Sequence, residues 1–230
     1  MKSISLNGIL TYPFQSKIEV LSYIKEKKKI LIAVNAEKII NKNEKLKEII
    51  NSNIGYQDGI GAVMALKKKG FNAVKIPGVE LWLEIIKENY KEKSFYLIGA
   101  SQAVITKTVQ KLKRDYDGID LVGYHNGFFD EAEKEKIHKE IIDKKPDVVF
   151  VAMGSPRQEY FMNELIATHP ALYMGLGGSF DVYTGNVKRA PKLFQVFGLE
   201  WSYRLIKQPS RIFRQIVLVR FLTRLLLNRI

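Results

Sequence analysis

The stretch "DVVFVAMGSPRQ" (residues 147–158) decides the fold. Its first part, 147–153, is apolar on consecutive positions, which predicts a strand buried on both faces, as in a parallel sheet. Glycine, serine and proline then interrupt the apolar run, and a helical pattern follows over 157–168. A buried strand that leads through a short turn into a helix is the repeating unit of a doubly wound α/β fold.

The same unit recurs along most of the chain. Four further apolar runs predict buried strands: "KILIAVN" (29–35), "SFYLIGA" (94–100), "IDLVGYH" (119–125) and "ALYMGLG" (171–177). Helical patterns lie between the strands, over 43–51, 60–69, 79–91, 101–114 and 130–144. This alternation predicts a Rossmann-like, mostly parallel sheet with helices on both faces.

The pattern changes near residue 190 to helical material without a strand signal, interrupted by Pro209. We therefore expect an α/β catalytic domain over 1–195, able to fold alone, and a basic helical appendage over 196–230. No acidic residue follows Glu200, whereas seven arginines and lysines do: Arg204, Lys207, Arg211, Arg214, Arg220, Arg224 and Arg229. They supply much of the formal net charge of +13, which predicts an anionic partner. Because the rest of the chain is only modestly basic, a globular nucleic-acid binder is disfavoured.

The appendage is apolar as well as basic. Its apolar residues include Ile212, Phe213, Ile216, Val217, Val219, Leu222 and Leu225–Leu227. Such a helix is expected to lie in the headgroup region of an anionic membrane. No apolar run is long enough to span a bilayer, and the start of the chain lacks the apolar region of a secretory signal. The absence of cysteine is compatible with the cytoplasm.

The carboxyl ends of the strands are where open α/β sheets bind ligands. Polar and glycine residues recur there, as in "VNAEK" with Asn35 and "GGSFD" with Asp181. In "GSPRQE" (154–159), Ser155 and Gln158 predict a capping box, and the helix N-terminus would also suit a phosphate. Asp58 precedes Gly59, which predicts either a plain turn or a carboxylate held beside a site.

No metal or cofactor site is predicted. "DYD" (115–117) resembles the metal-binding Asp-x-Asp of sugar-nucleotide enzymes, but it precedes a strand, at the wrong end of the sheet, and Asp117-Gly118 predicts a turn. The histidines show no ligand spacing. No strand is followed by G-x-G-x-x-G, which disfavours a nucleotide-dependent oxidoreductase.

Five stretches, taken together, carry a resemblance to a known family. They are "VNAEK" (34–38), "YQDGIGAV" (56–63), "IPGVELW" (76–82), "VAMGSPRQEYFM" (151–162) and "LYMGLGGSFDVYTGNVKRAPKLFQVFGLEWSYRLIKQPSR" (172–211). In this order they resemble the WecG/TagA/CpsF glycosyltransferases, family 26. The "VNAEK", "IPGVELW" and "GLEWSYRLIKQPSR" forms are similar to the branch of enterobacterial common antigen synthesis more than to the teichoic-acid branch.

The resemblance implies a reaction. Such enzymes move an N-acetylmannosamine-type sugar from UDP to GlcNAc-diphospho-undecaprenol, with inversion and without an essential metal. The resembled branch implies UDP-N-acetyl-D-mannosaminuronic acid (UDP-ManNAcA) as the donor. The alternative is UDP-ManNAc, with the same lipid acceptor, in teichoic acid or capsule synthesis. These partners imply a peripheral protein on the cytoplasmic face of the cytoplasmic membrane, and they leave a homo-oligomer open.

The resemblance also implies roles for individual residues. Asp58 matches the family's proposed general base, which would accept the proton of the acceptor hydroxyl. Asn35 and Gln158 match positions that contact a sugar. Lys75 stands where relatives carry an arginine thought to reach the pyrophosphate, and lysine keeps the charge but loses the bidentate fork.

Three further positions follow from the same resemblance. Asp181 matches a position near the uridine, and Phe128 replaces the tyrosine of the family's "GYF", so a hydroxyl contact is lost there. Arg211 and Arg214 lie in the tail that is thought to close over the site. They are expected either to offset the charge of departing UDP or to bind anionic lipid, and the sequence leaves both open. A uronic acid carboxylate would also need a cation, for which Lys75, Arg157, Lys188 and Arg189 are candidates.

Overall fold

The computed structural model describes residues 1–196, 200–207, 212–228 and 230. In this part of the chain, six parallel strands form the main sheet in the order β4-β3-β8-β7-β5-β6, and an antiparallel hairpin, β1-β2, lies beside it. The strands are β1 (Ile4–Leu6), β2 (Ile9–Thr11), β3 (Ile30–Val34), β4 (Ile54–Gln57), β5 (Ser94–Gly99), β6 (Asp120–His125), β7 (Val148–Ala152) and β8 (Leu172–Gly175).

Helices cover both faces of the sheet, as the alternating sequence pattern predicts. They are α1 (Lys17–Ile24), α2 (Ala36–Ile40), α3 (Glu44–Asn51), α4 (Ile60–Lys68), α5 (Gly78–Asn89), α6 (Gln102–Asp115), α7 (Glu131–Lys144), α8 (Arg157–Thr168), α9 (Ser179–Tyr183), α10 (Lys192–Val196), α11 (Glu200–Lys207) and α12 (Ile212–Leu226). The predicted fold class is therefore confirmed, including the helical C-terminal segment.

The five predicted strands are confirmed within one or two residues at each end, whereas β4 and the hairpin were not predicted. β4 is "IGYQ", only four residues long, and a glycine and a glutamine interrupt its apolar pattern. Glycine is sterically required at position 55, because a Cβ there would lie 2.4 Å from the carbonyl oxygen of Leu10. Close packing of the hairpin against β4 is a tertiary contact that the local pattern does not show.

Two apolar cores lie on opposite faces of the sheet. On one face the Trp82 ring meets Phe150 and Phe180 edge to face, with centroids 5.6 and 5.5 Å away. This face is covered by α1, α5, α6 and α9. The other face is covered by α3, α4, α7 and α8, together with α12.

Helix α12 joins the second core. The Phe221 side chain is fully buried and Leu225 is 6% exposed, both in the cluster that includes α4. The Lys68 ammonium at the end of α4 donates to the carbonyl oxygen of Leu225. The expectation that Leu225 faces a membrane is therefore wrong, because this side chain packs against the α/β domain. The boundary at residue 195 stays a prediction. No helix among the described residues is long and apolar enough to cross a membrane.

Candidate active site

Asp58 follows β4 directly, at the carboxyl edge of the sheet. Its backbone N–H donates to the carbonyl oxygen of Val34, 2.9 Å away, and Gly59 then takes a positive φ of 96° before α4 begins. The side chain faces the first residue of α5, since a Cβ on Gly78 would lie 3.9 Å from Asp58 Oδ2. The Asp-Gly pair is thus both a turn and a carboxylate placed at the edge where parallel sheets bind ligands.

Asn35 lies on the neighbouring strand end. Val34 is paired with Gln57 in the parallel register, so Asn35 and Asp58 leave adjacent strands at the same level. The Asn35 side chain is the N-cap of α2, because its Oδ1 accepts the Lys38 N–H at 3.0 Å. This cap orients the amide of Asn35 at the edge of the sheet.

Gln158 is 4% exposed, and its side chain joins two glycine turns of this edge. Its Oε1 accepts the N–H of Gly154 at 3.2 Å and the N–H of Gly177 at 3.0 Å. The predicted capping box is wrong: α8 begins at Arg157, with Pro156 as the N-cap residue and no side-chain cap. The Gln158 amide turns inward because two backbone donors of the turns need an acceptor there.

Lys75 lies beside Asp58, since the Ile76 N–H donates to the Gln57 carbonyl oxygen at 3.1 Å. Its ammonium pairs with the carboxylate of Glu200 in α11. Arg189 contacts the same carboxylate, with its Nε 3.3 Å from Glu200 Oε1, and its guanidinium also lies 2.8 Å from Glu80. Burial alone would raise the pKa of Glu200, but the hydrogen bonds and charges of Lys75 and Arg189 lower it below its ordinary value.

Asp181 lies in the first turn of α9, just after β8. Phe128 lies elsewhere along the same edge, after β6, with its side chain 72% exposed. β4 and β6 are the two outer strands, five strand spacings apart, which is roughly 24 Å across the sheet. The structure thus brings Asn35, Asp58 and Lys75 together and leaves Phe128 on the opposite side.

The side chains of the two tail arginines lie outside the described part of the structure. Arg211 lies outside the described residues, and Arg214 lies on α12 with a side chain that is not among those described. Of the tail cations whose side chains are described, Arg220 is exposed and Arg224 is half-buried. The catalytic roles of Arg211 and Arg214 stay predictions.

"DYD" lies at the amino edge of the sheet, between α6 and β6, as the sequence indicates. Asp115 Oδ2 accepts hydrogen bonds from the Lys111 ammonium at 2.5 Å and from the Tyr183 hydroxyl at 2.7 Å. Gly118 takes a positive φ of 75°, which confirms the turn. Across the described ranges, no group of three or more histidine, cysteine or acidic residues could hold a metal ion.

A buried ion pair at the carboxyl edge of the sheet was not predicted from the sequence. Lys38 Nζ lies 2.8 Å from Glu159 Oε1, and the two side chains are 8% and 1% exposed. Tyr56 was not predicted either, and its hydroxyl is buried without a hydrogen-bond partner among the described residues. Burial and the charges of Asp58 and Glu159 raise the pKa of Tyr56 well above its ordinary value. The sequence offered a signal only for Glu159, because it follows a predicted strand end and lies in the first turn of α8. Lys38 has the same local sequence pattern as a lysine on the surface of a helix.

Comparison with known protein families gives one result. The family model described as "Glycosyl transferase WecG/TagA/CpsF family" matches residues 9–230. The match spans every strand of the main sheet and the helical C-terminal segment.

Proposed function

The chain belongs to the WecG/TagA/CpsF family of glycosyltransferases, and on that premise we propose that it builds a lipid-linked saccharide. The proposed reaction transfers ManNAcA from UDP-ManNAcA to GlcNAc-diphospho-undecaprenol, with inversion, in enterobacterial common antigen synthesis. The alternative donor is UDP-ManNAc, in teichoic acid or capsule synthesis. The observation that carries the proposal is the position of Asp58 at the carboxyl end of β4, with Asn35 at the end of the neighbouring strand and the backbone of Lys75 beside it.

Asp58 is proposed as the general base. In an inverting displacement, the acceptor hydroxyl oxygen attacks the anomeric carbon while its proton passes to a carboxylate and UDP departs from the opposite face. Asp58 supports this role because it directly follows its strand, before a glycine turn and opposite the bare backbone of Gly78. A side chain at residue 78 would fill the space between Asp58 and Tyr56. Its Cβ would lie 3.9 Å from Asp58 Oδ2 and 2.7 Å from the Tyr56 hydroxyl oxygen.

Departing UDP gains negative charge, which cations near the diphosphate would offset. Lys75 and Arg189 support this role, because both lie against one half-buried carboxylate, that of Glu200. An anion is therefore already accommodated between them. A donor diphosphate bound to these cations would displace Glu200, and α11 would move with it. Metal independence belongs to the same proposal and predicts that activity survives excess EDTA.

Contact with an anionic membrane is proposed for the outer side of α12. Val219, Leu226 and Leu227 are 62%, 78% and 56% exposed, and Arg220 is exposed beside them. Apolar and cationic side chains on the outer surface of a helix suit the headgroup region of a membrane. We therefore propose a peripheral protein at the cytoplasmic face of the cytoplasmic membrane, where the lipid acceptor lies.

The test is UDP release with UDP-ManNAcA and with UDP-ManNAc, each supplied with a GlcNAc-diphospholipid acceptor. We expect a higher kcat/KM with UDP-ManNAcA. Preference for UDP-ManNAc would select the alternative donor. Absence of acceptor-dependent UDP release with both donors would contradict the proposed function.

A further inference from the structure

The buried Lys38–Glu159 ion pair spans the centre of the candidate site. Lys38 lies on α2, which follows β3, and Glu159 lies on α8, which follows β7. Because β8 lies between β3 and β7, the pair crosses over the carboxyl end of β8. Lys38 Nζ also donates to the Ala33 carbonyl oxygen at 2.8 Å, so the ammonium is held from two sides.

Each member of the pair bonds a residue to which the family resemblance assigns a sugar contact. On one side, the backbone N–H of Lys38 donates to Asn35 Oδ1 at 3.0 Å, so the ammonium of Lys38 acts on Asn35 by fixing the first turn of α2. On the other side, Gln158 Nε2 donates to Glu159 Oε1, the oxygen that also accepts from Lys38, at 3.2 Å. An unbroken series of contacts therefore runs from Asn35 through Lys38 and Glu159 to Gln158, and on to the Gly177 N–H.

Packing alone does not account for a charged pair at this place. Removing two charges from water costs free energy that their attraction only partly recovers, and apolar pairs of similar volume are often as stable or more stable. Glu159 Oε2 adds to this cost, because it is buried without a hydrogen-bond partner among the described residues. A carboxylate here does what an apolar side chain cannot: it accepts from Lys38 and from the Gln158 amide at once, which sets the direction of that amide.

We propose that Lys38 and Glu159 are positioning residues that hold the Asn35 and Gln158 side chains in a fixed relation across β8, ready for the sugar substrate. The inference rests on the proposed function for the identity of that substrate. Both residues act through their neighbours, since their own side chains are almost fully buried.

The test replaces the pair by apolar residues in the double variant Lys38→Met/Glu159→Leu, with Glu44→Leu/Lys47→Met as the matched control. The control removes an exposed ion pair on α3, whose ammonium and carboxylate lie 3.3 Å apart. An apolar pair avoids a stranded buried charge, so we expect the double variant to fold with an unfolding midpoint near that of the wild type. A second apolar pair, Lys38→Leu/Glu159→Met, also leaves no buried charge and no acceptor for the Gln158 amide, and it covers the case in which the first double variant does not fold.

Two readouts separate positioning from packing. We expect amide hydrogen exchange at Gly154 and Gly177 to accelerate about tenfold in the double variant, because Gln158 is no longer oriented to accept from them. We expect kcat for sugar transfer to fall about 100-fold, the scale of a misplaced substrate contact, while the Kd for UDP changes little. The control should match the wild type in both.

The outcomes are distinguishable from failure of the proposed function. If the wild type transfers no sugar, the proposed function fails, and the exchange rates alone judge the inference. Unchanged exchange at both glycines, or wild-type kcat in a folded variant of the pair, would overturn it.

Discussion

The two C-terminal helices α11 and α12 are attached to the α/β domain by different forces. α12 inserts the ring of Phe221 into the core, where its Cε1 lies 3.2 Å from the position of a Cβ on Gly61. α11 is joined by the Glu200 carboxylate to Lys75 and Arg189. Buried apolar contacts are insensitive to anions, whereas partly exposed ion pairs can exchange one anion for another.

This difference indicates separate roles for the two helices: α12 is anchored in the core, whereas the attachment of α11 can respond to a bound anion. Gly61 is three residues beyond Asp58 in the chain, so α12 braces the helix that Asp58 precedes. Glu200 instead pairs with Lys75 and Arg189, the cations to which the proposed function assigns the donor diphosphate. We infer that α12 stabilises the domain, while α11 is the part of the C-terminal segment that moves when the donor binds. The following variants test this division, from the largest expected effect to the smallest.

Phe221→Ala tests the apolar attachment. The ring is fully buried, so its removal leaves a cavity between α12 and α4, and we expect a loss of about 3–5 kcal/mol in the free energy of unfolding. Urea denaturation measures the loss. Leu226→Ala is the control, because Leu226 is 78% exposed and should change stability by less than about 0.5 kcal/mol. Equal effects of the two variants would show that α12 does not belong to the core.

Asp58→Asn should lower turnover and leave the stability of the fold unchanged, the reverse of what is expected for an attachment of α12. Because amide and carboxylate have the same shape but only the carboxylate accepts a proton, we expect turnover to fall by roughly 100-fold or more while UDP binding is kept. The unfolding midpoint should stay near that of the wild type. Near-normal turnover of the folded variant would remove Asp58 from the role of base.

Glu200→Gln tests the ionic attachment. Without the Glu200 carboxylate, Lys75 loses its internal anion and becomes available to the diphosphate, while Arg189 keeps only its contact with Glu80. We therefore expect UDP to bind about threefold to tenfold more tightly by calorimetry, with little change in stability. Glu88→Gln, at an exposed position of α5, is the control. Weaker UDP binding by Glu200→Gln would mean that Glu200 orients these cations and does not compete with the ligand.

The stabilising contribution of the ionic attachment should depend on pH, whereas that of the apolar attachment should not. This difference is expected to be smaller than the effects of the variants. The folded-state pKa of Glu200 lies below its ordinary value, so its contribution is complete above the ordinary pKa of about 4.3. That contribution is lost as the pH falls through the lowered pKa. A carbon-13 NMR titration of the Glu200 carboxyl measures this directly, and the ring signals of Phe221 should stay unchanged over the same range. A Glu200 pKa at or above the ordinary value would contradict the ionic attachment.

Much of the fold could be predicted because its signals are local. "DVVFVAM" and its four counterparts are continuous apolar runs, and each is confirmed as a strand of the parallel sheet. β4 was missed because four residues with a glycine and a glutamine carry too little pattern. The confirmed end of β3 explains why Asn35 could be placed at the carboxyl edge, whereas the place of Asp58 at the same edge follows from β4, which the local pattern did not predict.

The contacts within the site could not be predicted in this way. Ser155 and Gln158 have the spacing of a capping box, yet Gln158 accepts from Gly177, which is 19 residues away. The local pattern could not show this choice, because the competing donor belongs to another strand end. Leu225 was assigned to a membrane surface for the same reason: an apolar stripe on a helix does not say which apolar partner it meets.

The sequence by itself determined the strand–helix alternation, the basic C-terminal segment and the residues at the strand ends. Only the tertiary structure decided that Lys38 meets Glu159, 121 residues away, and that Lys75 meets Glu200, 125 residues away. Strand and helix patterns arise from the periodic burial of neighbouring residues, which any short window of sequence contains. An ion pair depends on which distant helices the folded sheet brings together. A lysine that is buried in the fold has the same local sequence pattern as one that lies on the surface.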